Sequence, residues 1–162
     1  MNGKGVASMA ININTIIAAV DVDDDLAKPI LSTAADLSEI FGASLHIVDV
    51  VTPLEGIGTL YAVGPVSHEI EAHEKAEEEN LRRLTSMISE ITSSAKPVVV
   101  HGNPGKAVAD YAQENNADLL IIGSHQKGWW GKLASGAASS ELVREAPCAV
   151  YVVTKEAAQN MT

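Results

Sequence analysis

Short apolar runs alternate along the chain with longer segments in which apolar residues recur at helical spacing. Five runs have the length of strands, at 13–20, 44–51, 98–100, 119–122 and 149–153. They are apolar almost throughout, with little polar alternation, which is typical of strands covered on both faces of a sheet. The pattern therefore predicts five strands buried in the core.

The segments between these runs carry helix signals. Apolar residues recur at helical spacing over 27–41, and Gly42 follows where a helix commonly ends in the left-handed conformation. The three acids 23–25 precede this helix, and one of them is expected to cap it. A solvated helix start explains these acids better than a metal site does.

Three further helices are predicted downstream. The first is a long helix with a charged face over 66–91. Asn103 followed by Pro104 combines a capping side chain with proline at the first helical position, and predicts a helix to about Asn115. A last helix covers about 136–145 and stops before Pro147.

Alternating strands and helices predict an α/β fold: a single doubly wound five-stranded parallel sheet with helices on both faces. Right-handed crossovers leave the strand order 3-2-1-4-5 as the natural choice. Ligands in such folds bind at the switch point, here between the first and fourth strands, outside their carboxyl ends. Asp21 and Gly123 border that crevice, and Asp49 and Gly102 lie on the same sheet edge.

Length and charge limit the classes of function. A chain of 162 residues suits one domain, expected over 11–156, with a disordered leader at 1–10 and a flexible tail at 157–162. The formal net charge of -10 argues against a nucleic-acid partner, because an acidic surface repels phosphates. No apolar stretch is long enough for a membrane span, and the start is not a secretory signal. The single cysteine, Cys148, is expected to be a buried thiol in a reducing, cytoplasmic compartment.

Sequence motifs for catalysis are absent. The chain has no Walker motif, no Gly-x-Ser-x-Gly elbow and no plausible cysteine–histidine pair, so no catalytic residue is assigned. No second ligand lies at zinc spacing from His125, so no metal site is expected.

Four segments together resemble the universal stress protein family: 16–21, 101–104, 117–125 and 146–153. The resemblance covers 13–154. It implies the fold derived above, a homodimer formed through the fifth strand, and a cytoplasmic role in the stress response with a protein partner of unknown identity.

Nucleotide-binding members of that family carry a glycine motif: Gly, two residues, Gly, nine residues, then Gly followed by Ser or Thr. Gly123 and Gly136 match the first and third glycines, whereas Gln126 replaces the second and Ala137 replaces the hydroxyl residue. Two functions stay open. The protein binds ATP or AMP weakly, with Mg²⁺ held through the phosphates, or it is a dimeric interaction protein that binds no nucleotide. Slow ATP hydrolysis is a third, less supported hypothesis.

The resemblance also implies a set of nucleotide-contacting positions, and each has a structural alternative. Asp21 either hydrogen-bonds a nucleoside or caps the turn after the first strand. Ile47 flanks an adenine or is strand core, and Gly102 approaches a ribose or permits a turn. Trp129 and Trp130 close over a ligand or a partner, or they cover their loop against the core. The complete predicted set is Ala19, Val20, Asp21, Ile47, Gly102, Ile122, Gly123, His125, Gln126, Gly136, Ala137 and Ala138.

Overall fold

The computed structural model describes residues 11–52, 67–124 and 142–161. Strands and helices alternate in the predicted order, with one additional helix at the end. None of the helices in these segments is long and apolar enough to cross a bilayer. The elements are β1 (Thr15–Ala19), α1 (Ala27–Phe41), β2 (Ser44–Val51), α2 (Ser67–Ser89), β3 (Ala95–His101), α3 (Pro104–Glu114), β4 (Leu119–Gly123), β5 (Ala149–Val153) and α4 (Lys155–Asn160); residues 142–145 form one further helical turn.

The five strands form one sheet in the order β3-β2-β1-β4-β5, and every neighbouring pair is parallel. The predicted α/β class and strand order are therefore confirmed. β3 is longer than its apolar run suggested, because it also includes Ala95, Lys96 and Pro97, which pair with β2. Proline is tolerated there because β3 is an edge strand.

Each face of the sheet has its own core, which explains why the central strands are apolar throughout. Successive side chains of a strand point to opposite faces. Ile16 of β1 packs in the cluster that contains Leu31 of α1 and Leu84 of α2. Its neighbour Ile17 packs in the other cluster, with Val108 of α3. Helices on both sides therefore exclude water from the middle of the sheet.

The predicted helix ends are largely confirmed. Gly42 has φ of 64° and ends α1 in the left-handed conformation. The Asn103 side chain accepts a hydrogen bond from the Lys106 amide at 3.3 Å, and so caps α3. The start of α1 differs, because its cap residue is Leu26 and makes no side-chain cap. Asp24 instead stabilises the turn just before α1, where its Oδ1 accepts a hydrogen bond from the Leu26 amide at 2.8 Å.

The edge strand β5 is less buried than its apolar sequence suggested. Tyr151 is 46% exposed and Val152 is 41% exposed. The Cys148 thiol just before the strand is half-buried, and burial, followed by the charge of Asp118, raises its pKa. The reason for the difference is position, since β5 pairs only with β4 and has an open edge. An apolar run shows that a strand exists but not whether a helix covers it.

The end of the chain forms helix α4, where the sequence analysis expected a flexible tail from 157. The Thr154 hydroxyl caps this helix by accepting from the Ala157 amide at 3.1 Å. Ala158 is buried in the core cluster that α1 also lines. The Met161 sulfur lies 3.8 Å from the Thr33 hydroxyl oxygen, which adds a contact with α1. The short helix is therefore docked on the domain.

The Asp118 carboxylate joins the starts of β1 and β4. Its Oδ2 accepts from the Asn14 amide at 2.8 Å and from the Thr15 amide at 3.0 Å. The Asp118 amide in turn donates to the Thr15 carbonyl at 2.9 Å. These three hydrogen bonds fix the relative position of the two central strands, whose carboxyl ends border the crevice.

Candidate functional site

The predicted crevice lies at the carboxyl ends of the neighbouring strands β1 and β4. Four of the predicted positions have completely buried side chains: Ala19 and Val20 at the end of β1, Ile122 in β4, and Ile47 in β2. Those side chains belong to the core clusters. Their side chains are therefore not accessible from the crevice, and Ile47 lies in the strand core.

Asp21 stabilises the turn that leaves β1. Its Oδ1 accepts from the Asp23 amide at 2.9 Å, and its carbonyl accepts from the Asp24 amide at 3.0 Å. This geometry is the turn-capping role considered for Asp21. A carboxylate has about four lone-pair positions, so the cap is compatible with an additional contact to a nucleoside.

Two of the predicted glycines have structural reasons to be glycine. Gly102 has φ of 127°, which side-chain-bearing residues rarely adopt, and its amide donates to the Val51 carbonyl at 3.2 Å. A Cβ at Gly123 would lie 3.0 Å from Ile30 Cδ1 and 3.2 Å from Leu26 Cδ1. Gly102 thus permits the turn after β3, and Gly123 permits close packing of β4 against α1. Neither requires a phosphate to explain it.

A polar stripe on α2 connects that helix to the crevice side of the sheet. The α2 stripe consists of Glu77, Asn80 and Arg83, which follow one another at three-residue spacing and share a helix face. Glu77 Oε2 lies 3.1 Å from His101 Nε2 at the end of β3. Asn80 Nδ2 donates to Asp49 Oδ2 in β2 at 3.1 Å.

The third member of the α2 stripe, Arg83, forms an ion pair with Asp23 in the turn after β1. The hydrogen bond to Asp23 raises the pKa of the Arg83 guanidinium, and the charges of Asp23, Glu79 and Asp49 add to the increase. The α2 stripe therefore spans the carboxyl ends of three adjacent strands, β3, β2 and β1.

Asp49 is the buried member of this network, with only 1% of its surface exposed. A buried carboxylate is costly unless it is hydrogen-bonded. Here Oδ1 accepts from the Val50 amide at 2.9 Å while Oδ2 accepts from Asn80. The sequence analysis placed Asp49 on this edge but missed the α2 stripe. The signal was present as three polar residues at helical spacing beside the buried Leu84 and Ile88.

The remaining predicted positions lie outside the described residues. They are His125, Gln126, Gly136, Ala137, Ala138 and the two tryptophans, Trp129 and Trp130. The structure therefore describes the part of the predicted site at the strand ends, where Asp21 follows β1 and Gly123 ends the neighbouring β4. Within the three described segments, no group of three or more histidine, cysteine or acidic side chains is arranged to hold a metal ion.

Comparison with known proteins identifies the family to which this chain belongs. The model of the Universal stress protein family matches residues 12–154. The chain belongs to the universal stress protein family. The match covers β1 through β5, so the whole sheet and both crevice strands lie within the matched residues.

Individual members of the universal stress protein family agree with this assignment. The chain is 27% identical over 144 residues to universal stress protein A homolog 2 of Coxiella burnetii, covering 88% of this chain and 95% of that one. A universal stress protein solved in complex with cAMP has a TM-score of 0.63 and 17% identity, covering 88% of this chain and 97% of that chain. The Archaeoglobus fulgidus universal stress protein solved with dAMP has a TM-score of 0.57 and 20% identity, covering 87% of this chain and 98% of that chain. The solved structures share the fold described above.

Proposed function

We propose that this universal stress protein is a regulatory stress-response module that binds an adenine nucleotide weakly in the crevice between β1 and β4. The observation that carries the proposal is the position of Asp21 and Gly123 at the carboxyl ends of adjacent central strands, where doubly wound folds bind ligands. Two structural relatives that were solved with cAMP and dAMP support the choice of an adenine nucleotide.

The proposed mechanism is a ligand-dependent change in a loop. Nucleotide phosphates, with Mg²⁺ bound through them, order the segment 123–136, and the ordered loop presents a surface to a protein partner. The ligand biases the conformation and is not consumed. A cytoplasmic location suits the single cysteine of the chain, since cytosolic thiols are kept reduced.

The affinity is expected to be low. Gln126 places a side chain where the family motif has glycine, and Ala137 lacks the hydroxyl of the motif. Losing one hydrogen bond to a charged group costs roughly 1.5–3 kcal/mol, or about tenfold or more in affinity. Calorimetric titration with ATP and Mg²⁺ is expected to give a dissociation constant of tens of micromolar or above, an order-of-magnitude expectation.

The Asp21→Ala variant tests where the nucleotide binds. It removes the proposed nucleoside contact and is expected to weaken ATP binding further, whereas the exposed Glu114→Gln on α3 removes the same charge and leaves binding unchanged. Thermal unfolding of both variants shows whether Asp21→Ala weakens binding by destabilising the turn after β1 or by removing the nucleoside contact. Protein that carries stoichiometric ATP through size exclusion would contradict weak binding, and equal binding by both variants would contradict the site.

A second candidate function is that of a dimeric interaction protein that binds no nucleotide. The exposed apolar side chains of β5, Tyr151 and Val152, favour it, together with the 50% exposed Val143 in the preceding helical turn. Absence of ATP binding in the titration supports this candidate. Phosphate release above a protein-free blank would instead support slow ATP hydrolysis.

Both candidates share a predicted homodimer through β5. An apolar sheet edge is a liability unless it is paired, and two copies can pair about a two-fold axis. Val152→Lys is expected to shift the protein from dimer to monomer in sedimentation, because it places a charge in the paired edge. Leu81→Lys, which replaces another exposed apolar residue on α2, is the control and is expected to remain dimeric. A monomeric unmodified protein at micromolar concentration would refute this prediction.

A further inference from the structure

A second concave surface lies at the opposite end of the sheet from the crevice. It is a cavity of about 370 Å³ between the last turns of α1 and the loop that follows α2. Gly42 and Ala43, just before β2, and Thr92 and Ser94, just before β3, line its floor. Its volume lies within the range of about 300–1,000 Å³ that is typical of small-molecule sites. Because it lies at the amino ends of the strands, it is separate from the proposed nucleotide site.

The lining of this cavity, called the α1–α2 cavity below, carries negative charge and no positive charge. Asp36 and Glu39 contribute carboxylates, and Ser32, Thr92 and Ser94 contribute hydroxyl oxygens that can accept hydrogen bonds. No lysine, arginine or histidine lines it. Its chemistry therefore favours a ligand that donates hydrogen bonds and carries positive charge.

The ends of two helices increase this preference. Both α1 and α2 end beside the cavity, and neither has a basic residue in its last turn. The carboxyl end of a helix carries a partial negative charge from its aligned peptide dipoles. Lys28 lies one turn before Ser32 on α1, but its ammonium is 3.1 Å from Glu90 and is neutralised by that pair. No positively charged group in the lining therefore offsets the negative potential at the cavity.

The apolar part of the lining narrows the class of cation. Ala35 of α1 and Ile91 after α2 contribute apolar surface between the polar groups. The described segments hold no cluster of three acidic or histidine ligands for a metal ion. An aliphatic chain with terminal ammonium groups matches both parts of the surface: its methylene groups contact Ala35 and Ile91, and its ammonium groups reach Asp36 and Glu39. We propose that the α1–α2 cavity is a binding site for a small aliphatic polyamine.

The proposal is tested with spermidine as the probe and the full-length protein. Amide NMR signals of residues that line the cavity, such as Gly42, Thr92 and Ser94, are expected to shift in a saturable way. The double variant Asp36→Asn/Glu39→Gln is expected to weaken binding about fourfold to 25-fold, since one exposed ion pair corresponds to roughly two- to fivefold. Both side chains are exposed, so the variant is expected to fold.

A matched control distinguishes a site from general attraction to an acidic protein. Glu114→Gln/Glu145→Gln removes two exposed carboxylates elsewhere and is expected to leave spermidine affinity within twofold of the unmodified protein. The proposal would be overturned if both double variants weakened spermidine binding equally. It would also be overturned if the amide signals shifted over the whole acidic surface. Equal binding of an uncharged aliphatic diol of similar length would also overturn it. None of these readouts depends on nucleotide binding.

Discussion

Substituting Gln126→Gly together with Ala137→Ser is expected to strengthen ATP binding by about 1–3 kcal/mol, or roughly fivefold to 150-fold. The glycine removes a side chain from the place where the family motif brings backbone close to phosphate. The serine restores a hydroxyl donor near the start of the predicted last helix, where the helix dipole also favours an anion. Calorimetric titration of the unmodified and doubly substituted proteins measures the gain.

A third protein shows whether the restored binding uses the proposed crevice. Adding Asp21→Ala to the double variant is expected to reverse part of the gain, because the nucleoside contact at the end of β1 is lost. If the double variant binds ATP no better than the unmodified chain, the crevice has diverged at further positions. The interaction-protein hypothesis would then be preferred.

The variant Asp118→Ala is expected to lower the free energy of unfolding by about 2–3 kcal/mol, measured by urea denaturation. It removes the carboxylate that accepts from the amides of both Asn14 and Thr15, at 2.8 Å and 3.0 Å. Asp118→Asn retains one acceptor oxygen and is expected to lower the free energy of unfolding by less.

The control for this prediction is Asp110→Ala on α3. Asp110 pairs with Lys106 at 2.6 Å on the helix surface, and such exposed pairs contribute about 1 kcal/mol or less. If Asp118→Ala destabilises no more than Asp110→Ala, the connection between β1 and β4 does not depend on the carboxylate.

Local features of the fold could be predicted from the sequence because single residues determine them. The bounds of β2 and β5 agree residue for residue with the apolar runs 44–51 and 149–153. Gly42 and Asn103 determine helix ends through their own backbone or side chain, so their roles could be recognised without tertiary information. The strand order followed from chirality and from the alternation of elements.

Contacts between distant parts of the chain could not be predicted in the same way. The Asp118 carboxylate meets the Thr15 amide across 103 positions of sequence, and no local pattern marks that pairing. The α2 stripe likewise needs the register of α2 against the sheet before Asn80 can be paired with Asp49. For the same reason the turn-capping role of Asp21 could be established only once its hydrogen bond to the Asp23 amide was known.

The two edges of the sheet have opposite consequences for assembly. The β3 edge includes Lys96 and Pro97, and both residue types discourage the addition of another strand. The β5 edge carries exposed tyrosine and valine side chains instead. In the proposed β5 dimer, only the two β3 edges would face outward, and neither would favour the addition of a further strand. The different chemistry of the two edges would thus limit the proposed assembly to a pair and disfavour an open-ended filament.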